Sequence, residues 1–184
     1  MERYDERHNV QSRGMLEPGT SDYADFYRAH PEWQAKDDAI RALPGLGSVG
    51  HPFDRPLLGA LHELVARLGR EDVIEGPAAP QRADISAVRA TEKVKGYAQH
   101  LGADLVRVGP LNPLYVYSNV GKTWDDPART YGRPIELRHT NAISLAVGIS
   151  PRMLETGPVL SEVVEVMRVY VRVATIAVTL AEYI

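Results

Sequence analysis

The sequence predicts a mixed fold of helices and strands, α/β in the broad sense and α+β in the narrower one. A helical amino-terminal region precedes alternating helices and strands. Two observations lead to this prediction. Apolar residues recur at helical spacing over residues 159–184, whereas residues 84–158 alternate between helix-like and strand-like patterns separated by Gly and Pro. We expect residues 1–82 to form an extended arm with short helices, and residues 83–184 to form the α/β portion.

The amino-terminal region contains residues that are typical of the starts and ends of helices. Residues 1–20 show no periodicity, and we expect them to form an extended arm that lies on another surface or is frayed. A first helix is predicted to begin at Ser21 or Asp22 and to end before Pro31. A second helix is predicted from Pro31 to Leu43, because proline is well suited to the first turn of a helix.

Two further helices follow, each with a predicted cap and a glycine at its end. Asp54 is expected to cap the first of them, which Gly69 closes. Asp84 is expected to cap the second, which Gly102 closes.

The region between the capped helices and the closing helix predicts strands. Residues 104–109 and 114–117 are extended in pattern, and residues 135–138 suggest a short edge strand after a polar excursion. Residues 142–149 are almost continuously apolar, which is typical of a central strand buried on both faces.

The closing stretch, residues 159–184, predicts one long buried helix. Its polar residues occupy a narrow stripe, and the apolar arc is wider than a surface helix requires. One apolar row is expected to face the core: Val159, Val163, Val166, Tyr170, Val173, Ala177, Leu180 and Ile184. Charged residues interrupt the helix, so it is too polar for a membrane span.

Composition narrows the classes of function. The formal net charge of −3 gives no reason to expect nucleic acid or an anionic membrane as a partner. The chain has no cysteine, which excludes disulfides, Cys-ligated zinc and an iron–sulfur cluster held by this chain alone. The first residues are charged and lack an apolar segment, so we expect no signal peptide and a cytoplasmic location.

Few local patterns point to chemistry. Gly121, Lys122 and Thr123 resemble the end of a phosphate loop, but Val116 stands where the motif needs its first glycine. Of the histidines, His139 is the one expected near a pocket rim, although a purely structural role fits it better.

An aromatic and amide cluster is the strongest local candidate for a binding site. Tyr115, Tyr117 and Trp124 accompany Asn112 and Asn119 around the passage from strand to loop. They could be ordinary packed aromatics, or they could form the wall of a pocket for a flat ligand with the amides at its edge. Tyr170 likewise has two interpretations, as a packed aromatic side chain or as a functional phenol.

Several stretches resemble corrinoid-dependent reductive dehalogenases of the cytoplasmic, non-respiratory type. They are EKVKGYAQHLGADLV at 92–106, PLNPLYVYS at 110–118, MLETGP at 153–158, YVRVA at 170–174 and LAEYI at 180–184. The stretches ERYDER at 2–7 and YADFY at 23–27 are similar as well. Epoxyqueuosine reductases share the same corrinoid-binding core and are the related family.

The resemblance implies an incomplete nitroreductase-like core that holds cobalamin, with [4Fe–4S] clusters in a further part of the enzyme. Its implied substrate is a small organohalide, and its implied electron donor is of the ferredoxin or flavodoxin type. Tyr170 matches the tyrosine that protonates the carbon losing halide. Asn112, Tyr115, Tyr117, Asn119 and His139 are the implied cofactor-binding residues, and no metal ligand is implied.

The chain departs from the family pattern because the cluster cysteines and the basic partner of the tyrosine are absent. We therefore expect the amino-terminal portion of a reductive dehalogenase, as a truncated or split gene product, that is inactive in isolation. One alternative is a non-catalytic front repeat, a scaffold or dimerisation module that packs against the rest of the enzyme or a second copy. The other is a flavin-binding nitroreductase-like protein.

Overall fold

The computed structural model describes residues 1–42, 55–74, 76–122, 130–157 and 160–184. The chain forms two compact units, Met1–Pro52 with Leu111–His139, and Phe53–Pro110 with Thr140–Ile184. We refer to them as unit 1 and unit 2. Because the units interleave along the sequence, the division between residues 82 and 83 stays a prediction. The combination of helices with a small antiparallel sheet belongs to the α+β class.

Unit 1 is built from short helices and loops. Its helices are α1 (Val10–Gly14), α2 (Ser21–Ala29) and α3 (Pro31–Arg41), with 3-10 turns at Glu6–His8 and Pro113–Tyr115. The predicted starts of α2 and α3 are confirmed. Thr20 accepts a hydrogen bond from the Tyr23 amide at 3.3 Å, and Pro31 occupies the first turn of α3. The predicted end at Leu43 lies outside the described residues.

The amino-terminal arm of unit 1 is bound by residues that are distant from it in sequence. Arg3 donates hydrogen bonds to the carbonyl oxygens of Val116 at 3.0 Å and Ile135 at 2.9 Å. The Gly121 amide donates to the Glu6 carboxylate at 2.8 Å. Of the two alternatives predicted for residues 1–20, these contacts favour an arm that lies on another surface over a frayed arm, although Glu6–His8 and Val10–Gly14 are helical rather than extended.

A buried charge network holds α1, α2 and α3 together. The Asp37 carboxylate accepts hydrogen bonds from Arg13 at 2.8 Å and from the Tyr27 hydroxyl at 3.0 Å. Burial alone would raise the pKa of Asp37, but the hydrogen bonds from Arg13 and Tyr27 outweigh it and lower that pKa. Beside the network, Leu16, Phe26 and Tyr27 form the apolar core of unit 1.

Unit 2 contains the long helices and the sheet. Its elements are α4 (Arg55–Leu68), α5 (Glu71–Ile74), α6 (Ala87–His100), β1 (Leu105–Pro110), β2 (Asn141–Ala146), α7 (Pro151–Leu154) and α8 (Leu160–Tyr183). Strands β1 and β2 are antiparallel, with Leu105 opposite Ala146 and Pro110 opposite Asn141. The core comprises Ala98, Ala103, Val106, Ile176 and Leu180, and α4 packs against α8.

Helix α6 begins later than the sequence indicated. Its cap is Ser86, whose hydroxyl accepts from the Arg89 amide at 3.4 Å, so the prediction of an Asp84 cap was wrong. Gly102 closes this helix at φ +106°, as predicted, in a conformation that favours glycine. The predicted cap Asp54 of α4 lies outside the described residues.

The strand predictions were right in part. The strand predicted at 104–109 is confirmed as β1. Residues 114–117 and 135–138 are not strands: the first stretch begins in a 3-10 turn, and the second follows an isolated bridge between Asn119 and Pro134. Strand β2 pairs with β1, but Ser144 and Ala146 are exposed, so it is covered on one face rather than two.

Helix α8 confirms the prediction of one long helix but not its orientation. Glu165, Val169, Ile176 and Leu180 are buried, whereas Tyr170 is 57% exposed. The predicted inward row was therefore largely wrong. Among the described helices, none combines the length and the apolar composition needed to cross a membrane.

Candidate functional site

The predicted cofactor-binding residues all lie in unit 1, between Leu111 and His139. The chain here passes from a 3-10 turn into an extended stretch, and Arg3 of the amino-terminal arm donates a hydrogen bond to the Val116 carbonyl oxygen in it. These residues are neighbours along the backbone, and their side chains perform different tasks.

The two amides of this segment stabilise the protein's own backbone. Asn112 precedes the 3-10 turn Pro113–Tyr115, and its side-chain oxygen accepts from the Leu114 amide at 3.0 Å. Asn119 donates from its side-chain nitrogen to the carbonyl oxygen of Gly132 at 3.0 Å. Since turns and caps commonly use asparagine in this way, these contacts account for both residues without a ligand.

The aromatic side chains of the segment differ strongly in exposure. Tyr117 is half-buried: its ring centroid lies 6.2 Å from that of Tyr4, and its hydroxyl accepts from Asn9 at 3.5 Å. Tyr115 is 86% exposed, and His139 is exposed as well. Of the aromatic candidates, Tyr115 and His139 are therefore the accessible ones, while Trp124 lies outside the described residues.

Tyr170, the candidate proton donor, belongs to unit 2 and projects from α8. A phenol that donates a proton needs a nearby cation to stabilise the phenolate. The two closest arginines in the sequence are engaged elsewhere. Arg168 binds Glu165 through hydrogen bonds of 2.7 and 2.8 Å, and Arg172 donates to the carbonyl oxygen of Gly102 at 3.1 Å.

Glu165 is an anchoring residue that the sequence did not single out. Its carboxylate accepts from Arg168 and from the backbone amide of Ser150 at 2.9 Å, which joins the start of α7 to α8. The Arg168 hydrogen bonds, followed by the Ser150 amide, lower the pKa of Glu165 to about 2 despite its burial. The spacing of Glu165 and Arg168 by three residues was the available signal.

The side chains named for cobalamin do not form a cleft that would fit a corrin ring. Such a cofactor requires a concave and largely apolar site with a few directed polar groups. Here Tyr115 and His139 face solvent, and the amides of Asn112 and Asn119 bind the protein's own backbone. A shallow depression does occur along α6, but it involves none of these residues: it is lined by Ala87, Val88, Thr91, Glu92, Lys95, Gly96 and Gln99.

Within the described ranges, no three His, Asp or Glu side chains are grouped so that they could hold a metal ion. Because the sequence lacks cysteine, the thiolate ligands of a [4Fe–4S] cluster would have to come from other polypeptide.

Comparison of the chain with protein-family models, with curated proteins and with solved structures gave no match. A function for the chain is therefore inferred from its sequence resemblance and from the contacts within each unit.

Proposed function

We propose that this chain is a non-catalytic front segment of a corrinoid-dependent reductive dehalogenase, and that it serves as a scaffold for the part that holds cobalamin. In this proposal the other part also supplies the [4Fe–4S] clusters, the organohalide site and the contact with a ferredoxin or flavodoxin. Besides the sequence resemblance, the incompletely covered sheet of unit 2 is the main structural observation that supports this role, and an exposed row on α8 adds to it.

Within the described residues of unit 2, one face of this sheet packs against helices. Val106, Ile143 and Leu145 belong to the core that α6 and α8 cover. The opposite face bears Leu105, Arg107, Ser144 and Ala146, which are exposed; we call it the outer face. Leu105 is 62% exposed on it. A two-stranded sheet is marginal by itself, so added strands or helices on this face would stabilise it.

An uncovered apolar row on α8 supports the same proposal. Tyr170, Ala177 and Ala181 are exposed and share one side of α8, as their spacing requires, and Ile184, directly after the helix, is exposed as well. An exposed row of this kind is typical of an interface between protein segments. We assign it, with the outer face, to the cobalamin-holding part of the enzyme.

Cobalamin retention tests the scaffold proposal directly. We expect the chain alone to retain no hydroxocobalamin in equilibrium dialysis. The same chain extended through its natural reading frame should retain it, and the added sequence should contain a CxxCxxCxxxCP run. Tight binding by the chain alone would contradict the scaffold role, and a downstream sequence without the cysteine run would contradict the dehalogenase assignment.

The docking face has a test of its own. With the remaining polypeptide supplied as a separate protein, Leu105→Lys should weaken association by about tenfold or more, since burying a leucine contributes about 1.5–3 kcal/mol. Val88→Lys is the matched control, because Val88 is exposed on α6 away from this face. Self-association of the chain that Leu105→Lys abolishes would instead assign the outer face to a second copy.

A second candidate function is that of a catalytic front half, which the exposure of Tyr170 favours. Its phenol is accessible from solvent, as a group that delivers a proton to a substrate must be. In the extended chain, Tyr170→Phe should then abolish dehalogenation while cobalamin retention is unchanged. If Tyr170→Phe leaves turnover intact, this candidate is excluded.

A further inference from the structure

Two histidines from different segments of unit 1 meet in one aromatic cluster. His8 belongs to the amino-terminal arm, and its ring centroid lies 4.9 Å from that of His30 at the junction of α2 and α3. The same His8 ring is 5.6 Å from Trp33 and 6.2 Å from Phe26. His30 in turn stacks on Trp33 at 4.8 Å.

The surroundings of this pair are poor in available negative charge. On the arm, Asp5 forms an ion pair with Arg7 at 2.6 Å. On the other side, the Arg13 guanidinium lies 4.5 Å from the centre of the Trp33 ring.

The remaining acids nearby are also engaged or exposed. Asp37 is bound to Arg13 at 2.8 Å. Glu32 approaches His30 at 3.7 Å but is mostly exposed to solvent. A proton added to the His8 imidazole therefore enters an aromatic cluster beside a second imidazole, and the nearby carboxylates of Asp5 and Asp37 are already paired with arginines.

We propose that the contact between His8 and His30 is an acid-sensitive latch, which holds the arm on α2 and α3 at neutral pH and releases it on acidification. The part of the arm that opens is the segment from Met1 to Leu16. Its opening would expose the Phe26–Trp33 surface and the loop that Arg3 and Glu6 bind.

The direction of the pH dependence follows from the closed state. Burial, followed by His30, Arg7 and Arg13, lowers the pKa of His8 below 6.5, and Asp5 only partly opposes this. The open arm thus takes up protons more readily than the closed arm. The closed arm is fully stable above the ordinary histidine pKa of about 6.5 and loses stability as the pH falls below it.

The absence of cysteine permits a direct probe of opening. Ser12 lies in α1 within the arm, is 1% exposed, and its hydroxyl has no hydrogen-bond partner among the described residues. Ser12→Cys should therefore be tolerated and should place a buried thiol in the arm. The protection factor is the rate at which a thiol reagent modifies this cysteine in the urea-unfolded protein, divided by the rate in the native protein at the same pH. Dividing the two rates removes the effect of the thiol's own ionisation.

We expect the protection factor at position 12 to fall as the pH is lowered from about 7.5 to about 5.5. The decrease should be at most about tenfold for each pH unit by which closing the arm lowers the pKa of His8. His8→Phe keeps an aromatic ring but cannot be protonated, so it should reduce or abolish this pH dependence. His100→Gln, which removes an exposed histidine of α6 in unit 2, should leave the dependence unchanged. His8→Gln is the alternative variant if His8→Phe does not fold.

Global unfolding is monitored by a second probe. Val106→Cys places a thiol in the core of unit 2, where Val106 is buried, and its protection should stay constant over the same pH range. The latch would be overturned by protection at position 12 that does not change with pH, or by an undiminished pH dependence in the His8 variants. Parallel loss of protection at both positions would show acid unfolding instead and would also refute it.

Discussion

The two units are stabilised by different kinds of interaction. Unit 1 has a small apolar core around Phe26 and relies on a charged network in which Asp37 is 3% exposed. Unit 2 has an aliphatic core that joins α6 and α8 to the sheet through Val106 and Ile176. The first arrangement depends on completing every polar contact, while the second depends on filling volume.

The two units should therefore be destabilised by different kinds of substitution. A buried ion pair contributes little net stability compared with an apolar replacement, but losing one partner is costly because the other is left uncompensated. An aliphatic core loses stability in proportion to the cavity created. Unit 1 should therefore respond most strongly to changes of charge, and unit 2 to changes of side-chain volume.

The largest expected effect is the loss of the carboxylate in unit 1. Asp37→Ala removes the carboxylate that accepts from the Arg13 guanidinium and the Tyr27 hydroxyl, and should lower the free energy of unfolding by about 3–5 kcal/mol. Urea unfolding measures it. Asp25→Ala, which removes an exposed ion pair with Arg28, should cost at most about 1 kcal/mol. Similar losses from both variants would contradict the role of burial.

A core truncation in unit 2 should have the next largest effect. Ile176→Ala removes a buried side chain from the contact of α8 with α6 and the sheet, and we expect a loss of about 3 kcal/mol in unfolding free energy. Ile176→Val, which removes a single methylene, should cost about 1 kcal/mol. Equal costs for the two variants would show that the site does not respond to cavity size.

A glycine pair compares the close packing of the arm with open space in unit 2. A Cβ atom at Gly121 would lie 2.5 Å from the Arg7 amide nitrogen, so Gly121→Ala should displace the arm at a cost of about 1–3 kcal/mol. A Cβ atom at Gly96, within α6, meets nothing within 4 Å. Gly96→Ala should therefore stabilise the protein by about 0.5–1 kcal/mol in thermal unfolding. A neutral Gly121→Ala would contradict the close docking of the arm.

Sequence patterns predicted the elements of unit 2 better than their orientation. The period of α8 indicated a long helix, but so much of its circumference is apolar that no single row was marked as inward. Glu165 is buried because Arg168 and the Ser150 amide satisfy its carboxylate, and the second of these partners comes from another element. Such a contact cannot be inferred from the helix sequence.

The candidate site shows the same limit. Tyr115, Tyr117 and the two asparagines lie close together in the sequence. What decides their roles are partners distant in sequence, such as Gly132 for Asn119 and Tyr4 for Tyr117. Asparagine is equally suited to a ligand's edge and to the protein's own backbone, so residue type alone left both possibilities open.

The smallest expected effects concern helix caps, which work alike in both units. Thr20→Ala in unit 1 and Ser86→Ala in unit 2 each remove an acceptor from the first turn of a helix, and each should cost about 1 kcal/mol in urea unfolding. Asp84→Ala removes the cap that the sequence favoured. It should change stability by no more than about 0.5 kcal/mol, because α6 begins at Ala87, directly after its cap Ser86. Asp84 and Ser86 are both good capping residues, so this pair decides where the helix begins. A loss from Asp84→Ala that exceeds the loss from Ser86→Ala would return the start of α6 to the position that the sequence indicated.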